Sequence, residues 1–169
     1  NDVLKVERPS QLAQDDVLTS AVIIHALDAA CVNDDDIILL LQPTCPFRKV
    51  TDINQAIALM KMDLNCAVIS VVDVGGDHPL RMKRIVNGCL VNYVDTGFED
   101  MRPRQELPSV YIRSGSIYAC SVKNYRKHKN FYGDQVLPII EPADYAVNID
   151  TLRDFIIAEK TVANINFEP

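Results

Sequence analysis

The sequence has few glycines, no closely spaced cysteine pair and no long apolar run. None of the six glycines among its 169 residues forms a cluster that could wrap a phosphate group. No apolar stretch approaches the roughly 18 residues that a membrane span needs. The opening residues 1–5 contain no basic segment followed by an apolar one, so the sequence predicts neither a membrane anchor nor a signal peptide.

The cysteines and the net charge exclude further classes of protein. The five cysteines are widely spaced and form no CxxC pair, which disfavours a zinc site. An odd, scattered set of cysteines is typical of reduced thiols, so we expect a cytoplasmic protein. The net charge of −6 argues against a broad nucleic-acid-binding face. The length predicts a single domain with a sizeable core.

Hydrophobic periodicity predicts an α/β domain with a mostly parallel sheet flanked by helices. Short apolar runs rich in β-branched residues predict strands at 37–41, 66–72, 110–120 and 136–140. The first is expected to be buried, and the third to be broken at Gly115. The order strand, helix, strand between residues 37 and 72 predicts a right-handed parallel crossover.

Apolar residues at helical spacing predict three helices. They are expected over 18–30, from Thr51 onward and over 151–165. Thr19 or Ser20 is a candidate N-cap of the first helix. The last helix is expected to bury its apolar residues, which are Leu152, Phe155, Ile156 and Val162.

The dipeptide Asn87-Gly88 is a strong signal for a two-residue hairpin turn. The runs of mixed charge on either side, 81–86 and 89–94, are therefore predicted to form a β-hairpin outside the parallel sheet. The polar and charged stretch 95–108 predicts a loop.

Three motifs together indicate a family of enzymes. The first is QPTCPFR at 42–48, which follows the first apolar strand at the edge where open α/β sheets bind ligands. The second is RPRQELP at 102–108 followed by YIRSGSIY at 111–118, and the third is AVNIDT at 146–151, followed by Asp154, Ala158 and Glu159.

These motifs resemble the LQPTSPLR, PRQxLPxxYxxNGAIY and xIDIDTxxDxxxAE elements of the N-acylneuraminate (CMP-sialic acid) cytidylyltransferases, a family that includes the enzymes for legionaminic and pseudaminic acid. The resemblance covers nearly the whole chain, from residues 7–13 onward, which are similar to the family's RPxxLA. It implies a Rossmann-like nucleotide-diphospho-sugar transferase fold. It also implies an enzyme that joins CTP to a nonulosonic acid, giving the CMP-sugar and pyrophosphate.

The implied reaction is attack of the sugar's anomeric hydroxyl on the α-phosphorus of CTP with Mg²⁺ as cofactor. Catalysis of this kind depends on in-line positioning and on neutralising charge. The resemblance makes Asp150 the expected metal ligand and a catalytic residue, although the sequence alone would favour an N-cap of the last helix. Asn148 stands where the family has a second aspartate. Its amide oxygen can bind Mg²⁺ without adding charge, so we expect weaker metal binding.

The resemblance also assigns substrate-binding residues. Arg104 matches an arginine that meets the sugar acid, whose carboxylate suits a bidentate guanidinium. It is therefore expected to be catalytic as well as substrate-binding, with Gln105 next to it. Gln42 matches a glutamine that contacts substrate. Arg102 is expected to lie in a solvated charged loop.

The remaining assignments depart from the family pattern. Arg113 lies one position later than the usual arginine, and Ser114 replaces the usual asparagine. Gly115 is expected to allow close approach of a ligand, with a plain bulge as the alternative. Arg81 takes the place of a lysine that, in the family, reaches into the partner subunit's active site.

The resemblance implies a homodimer. Residues 78–108 would be the dimerisation arm and substrate loop of a single domain, 1–169. Family members begin earlier, with a first strand and an ARxxSKxxPxKN loop that wraps the CTP phosphates, and nothing here matches that loop. The chain is therefore expected to be the C-terminal two-thirds of the enzyme and inactive alone.

Other functions stay open. A noncatalytic dimerising scaffold would fit both the absent phosphate loop and Asn148. A cytidylyltransferase for a different sugar acid, such as Kdo, is another alternative, but the pattern at 104–105 and 111–118 fits nonulosonic acids better. A metal-dependent glycosyltransferase would use the acids at 34–36 as a DxD site, yet these precede the strand and lie at the wrong edge of the sheet.

Overall fold

Apolar runs in four parts of the chain come together in one sheet. The computed structural model describes residues 3–14 and 16–164. The strands are β1 (Ile37–Leu40), β2 (Cys66–Asp73), β3 (Lys83–Val86), β4 (Cys89–Asn92), β5 (Tyr111–Ser121) and β6 (Gln135–Ile140). The main sheet has the order β1–β5–β2–β6, and β3 and β4 form a separate hairpin.

The direction of the strands corrects the prediction of a mostly parallel sheet. β1, β2 and β6 share one direction, but β5 runs the opposite way between β1 and β2. Of the adjacent pairs in this sheet, only β2 and β6 are parallel. β1 and β2 are parallel, as the predicted crossover requires, but they do not pair with each other because the later strand β5 lies between them.

Helices cover both faces of the sheet. They are α1 (Thr19–Ala30), α2 (Val50–Met62), α3 (Val122–His128) and α4 (Leu152–Asn164). Successive side chains of β2 point to opposite faces of the sheet, so the core has two halves. On one face Val68 packs with Ala56 and Met60 of α2. On the other face Ile69 packs with Leu27 of α1 and Tyr125 of α3. Burial on both faces explains why β2 is a continuous apolar run. A sheet flanked by helices fits the α/β class, whereas the Rossmann-like classification stays a prediction.

The first helix and first strand differ from the predictions. The N-cap of α1 is Leu18, which makes no side-chain capping hydrogen bond, so neither Thr19 nor Ser20 is the cap. β1 is half-buried rather than buried because it lies at the edge of the sheet.

The prediction that α4 buries its apolar residues is wrong. Their exposed fractions are 76% for Leu152, 48% for Phe155, 44% for Ile156 and 50% for Val162, whereas Ala158 is buried. Amphipathic spacing specifies a helix, but it does not supply a surface for the helix to pack on. The predicted end at residue 165 lies outside the described residues.

The hairpin is confirmed, although its strands are shorter than predicted. Asn87 and Gly88 both have positive φ, of 51° and 78°, as a tight two-residue turn requires. Ile85 and Leu90 face each other across the strands and are mostly exposed. The role of this hairpin as a dimerisation arm stays a prediction. Among the described helices, none has the length and apolarity to cross a membrane.

Candidate functional site

The centre of the candidate site is a bulge in β5. Ile69 pairs with Tyr118 and Val71 pairs with Arg113, so residues 114–117 lie opposite Ser70 alone. The buried Ser70 hydroxyl accepts hydrogen bonds from the Ile117 N–H at 2.8 Å and from the Ser114 hydroxyl at 2.7 Å. The predicted break in this strand is therefore a bulge inside one continuous strand.

Arg48 fixes the loop after β1 against this bulge. Its Nε donates to the carbonyl of Ser116 at 2.8 Å, and its Nη2 donates to the carbonyl of Gln42 at 2.8 Å. A Cβ on Gly115 would lie 3.0 Å from Gln42 Oε1 and 3.1 Å from Cys45 Sγ. The space beside Gly115 is therefore taken by protein side chains, as the plain-bulge alternative implies. Close approach of a ligand at Gly115 stays a prediction.

The segment before α4 joins the same cluster. The Ile149 N–H donates to the Thr44 carbonyl at 2.8 Å, and Cys45 Sγ donates to Asn148 Oδ1 at 3.5 Å. The amide nitrogen of Asn148 in turn donates to a carboxylate oxygen of Asp150. The structure thus brings together five of the predicted site residues, which are Gln42, Ser114, Gly115, Asn148 and Asp150.

The start of α4 is capped without Asp150. The carboxylate of Asp154 accepts from the N–H and the hydroxyl of Thr151, both at 2.8 Å, as in a capping box. These bonds lower the pKa of Asp154. Because Thr151 and Asp154 cap the helix, the Asp150 carboxylate is left exposed beside Asn148.

Asp150 and Asn148 offer the oxygen donors that Mg²⁺ prefers, but only part of a coordination shell. The described residues contain no group of three or more His, Cys, Asp or Glu side chains that could hold a metal ion. Mg²⁺ commonly binds through one or two carboxylates while substrate phosphates and water complete its shell. The two side chains therefore fit an ion that arrives with a nucleotide better than a permanently bound one.

Arg104 and Gln105 lie in a different place from this cluster. They line a cavity of about 760 Å³ together with Asp73, Gly75 and His78. Within the part of the chain that the structure describes, the Arg104 guanidinium has no hydrogen-bond or ion-pair partner. An unpaired cation that lines a cavity is suited to bind an anion.

His78 forms part of the wall of this cavity. The Leu80 N–H donates to Nδ1 at 3.1 Å, so the proton of a neutral ring lies on Nε2, which faces the Pro108 carbonyl at 3.1 Å. The buried ring therefore holds the turn before the hairpin against the loop after Arg104. His78 is therefore a structural residue of this wall.

Of the other arginines, Arg113 lies at the edge of the cluster, and Arg81 and Arg102 lie away from it. Arg113 is exposed and lies over the ring of Tyr132, next to Gln42 in a pocket of about 240 Å³. Arg81 donates to the Arg102 carbonyl at 3.1 Å on the surface. Arg102 forms an ion pair with Asp100 and lowers the pKa of that carboxyl to about 2, so it is a structural residue of the loop.

Sequence reasoning missed Glu141, which lies behind the bulge. Its N–H donates to the Val71 carbonyl at 2.8 Å, its side chain is 3% exposed, and its Oε2 has no partner among the described residues. Burial raises the pKa of Glu141, and the nearby hydroxyls of Ser114 and Ser116 oppose the rise. Its signal in the sequence is an acid directly after an apolar strand, at the edge where the motifs lie.

The cysteines allow a direct test of this packing. Cys31 and Cys89 are exposed, whereas Cys45, Cys66 and Cys120 are buried. Burial raises the pKa of the buried thiols, that of Cys120 to about 12. Because the thiolate is the reactive form, we expect Ellman's reagent to modify two thiols rapidly and the others only after unfolding.

The double variant C31S/C89S is the matched control for this experiment and should show no rapid phase. A rapid reaction of Cys45 in that variant would contradict the packing of the 42–48 loop against Gly115.

Comparison with known proteins gives two relevant relatives, although no protein-family model matches the chain. The chain is 30% identical over 126 residues to the CMP-N,N'-diacetyllegionaminic acid synthase of Legionella pneumophila, an alignment that covers 74% of this chain and 53% of the relative. It is 28% identical over 153 residues to the N-acylneuraminate cytidylyltransferase of Escherichia coli O18:K1:H7, with 89% and 35% covered. The chain thus spans about half of the first relative and about a third of the second.

Proposed function

Because this chain belongs to the N-acylneuraminate cytidylyltransferase family, we propose that it carries the sugar-acid part of a site that joins CTP to a sialic-type acid. The reaction would give a CMP-sugar and pyrophosphate. The observation that carries this proposal is the unpaired guanidinium of Arg104 in a cavity of about 760 Å³. That volume is within the usual range for small-molecule sites.

Arg104 would bind the carboxylate of the sugar acid, with Gln105 beside it. A planar guanidinium donates two parallel hydrogen bonds to a carboxylate, which fixes both position and orientation. Gln42, Ser114, Gly115 and Arg113 would contact other parts of the substrates at the bulge. Orienting the anomeric hydroxyl toward the α-phosphorus is the main contribution that a protein makes to such a transfer.

Asp150 would hold Mg²⁺, with the amide oxygen of Asn148 as a weaker ligand. When bound, the ion would neutralise negative charge on the phosphates. The Asn148 amide oxygen accepts from the Cys45 thiol and has a second lone pair that could bind the ion. The low charge of this pair favours one metal ion over two.

We also propose that the hairpin is a dimerisation arm. The exposed cross-strand pair of Ile85 and Leu90 would be covered by a second copy of the chain. Arg81 precedes the hairpin and would then reach toward the partner's site. A noncatalytic scaffold is the second candidate function, and the observation that favours it is Asn148 in place of an aspartate.

Titration with CMP-N-acetylneuraminate and CMP-legionaminate, each with and without Mg²⁺, tests the proposed function. We expect the folded chain to bind at least one of them and R104A to bind it at least tenfold more weakly, because a charge-assisted contact is lost. The control is R84A, which removes an exposed arginine of the hairpin. Equal binding by R104A and R84A would contradict the role of Arg104, and binding without any effect of Mg²⁺ would favour the scaffold.

A further inference from the structure

The cavity that holds Arg104 also contains a carboxylate. Asp73 ends β2, and its Oδ1 accepts a hydrogen bond from the Gly75 N–H at 2.7 Å. Among the described residues, its second oxygen has no partner. Asp73 and Arg104 therefore line one cavity with opposite charges.

Gly75 lies close to both charged side chains. It has a φ of 59°, and a Cβ at this position would lie 3.0 Å from Arg104 Nη2 and 3.4 Å from Cζ. The guanidinium thus rests on the backbone of the residue whose N–H holds Asp73. No ion pair joins Asp73 to Arg104 within the described ranges, so each keeps hydrogen-bonding capacity for a ligand.

We propose that Asp73 and Arg104 recognise one ligand at two points, with Arg104 binding its carboxylate and Asp73 accepting hydrogen bonds from its hydroxyl or amide N–H groups. This inference rests on the proposed function for Arg104. It adds Asp73 as the residue that determines which carboxylic acids bind. A carboxylate accepts and does not donate. Asp73 therefore favours polyhydroxylated or acylamino acids and repels a second carboxylate or a phosphate.

The test compares D73N with wild type, using N-acetylneuraminate as the donor-bearing acid and cyclohexanecarboxylate as an acid without such donors. Asparagine keeps an oxygen that can accept the hydrogen bond from the Gly75 N–H, and it removes the negative charge of Asp73. We expect D73N to bind N-acetylneuraminate threefold to tenfold more weakly and to bind cyclohexanecarboxylate as wild type does. The control is D77N, which changes an exposed acid in the same turn and outside the cavity lining.

Each outcome decides a separate point. Equal binding of N-acetylneuraminate by D73N and D77N overturns the proposal, as does equal weakening of both acids in D73N. Binding of the free sugar acid without binding of the CMP-sugars contradicts the proposed nucleotidyl transfer and leaves the two-point recognition supported. Failure of the folded wild-type chain to bind N-acetylneuraminate overturns both.

Discussion

Replacing Gly115 with alanine is expected to lower the free energy of unfolding by about 2–5 kcal/mol. A side chain in the left-handed region costs about 1–2 kcal/mol, and forcing a group into a packed site costs about 1–3 kcal/mol more. Gly115 has a φ of 86°, and its added Cβ would meet Gln42 Oε1 at 3.0 Å and Cys45 Sγ at 3.1 Å. Urea unfolding at equilibrium measures the loss.

The matched control for this substitution is G76A. A Cβ added to Gly76 would have no atom within 4 Å, and this residue does not have a positive φ, so its replacement should change stability by less than about 0.5 kcal/mol. Because Gln42 and Cys45 belong to the site, G115A should also weaken CMP-sugar binding, whereas G76A should not. A G115A chain as stable as G76A would show that the bulge has room for a side chain.

Replacing Glu141 with glutamine is expected to stabilise the chain at neutral pH, because the substitution removes the cost of ionising a buried carboxyl. Glutamine reproduces the shape of the protonated acid and carries no charge. The gain arises because burial, the main cause, raises the pKa of Glu141 in the folded chain. Urea unfolding of both proteins over a range of pH measures it.

The sign of the pH dependence follows from linkage. Below the unfolded-state pKa of about 4.3, both states hold the proton and Glu141 adds no penalty. As the pH rises from there through the raised native pKa, wild type loses stability relative to E141Q, and the difference is constant above it. The exposed Glu159 provides the control variant, E159Q. A difference between E141Q and wild type that does not change with pH would contradict an ionisable, buried Glu141.

Much of the cluster at the bulge could be predicted because each of its members belongs to a local motif. A glycine inside an apolar strand indicates a bulge, and motifs at strand ends indicate one edge of a sheet. These signals bring Gln42, Asn148 and Asp150 to one edge of the sheet. Ser114 and Gly115 join them because β5 runs antiparallel to β1, a direction that was not predicted. The role of Arg48 was hidden because its partners are the carbonyls of Gln42 and Ser116, which any residue type provides.

The separation of Arg104 from this cluster could not be predicted, because it depends on how the 95–108 loop packs. The sequence likewise could not show that β5 inserts between β1 and β2, since strand order is set by long-range pairing. The helix α4 was predicted correctly, but its apolar residues were wrongly predicted to be buried. Burial depends on the surfaces that surround a helix, which its own periodicity does not contain.

The contact between Gly75 and Arg104 links two positions that are distant in sequence. Any side chain at position 75 would meet the guanidinium as it now lies. A mutation there in a descendant of this protein would be tolerated only with a displaced arginine or a smaller residue at position 104. Since the φ of 59° already favours glycine at position 75, a change there should carry two costs, a strained backbone and a displaced guanidinium.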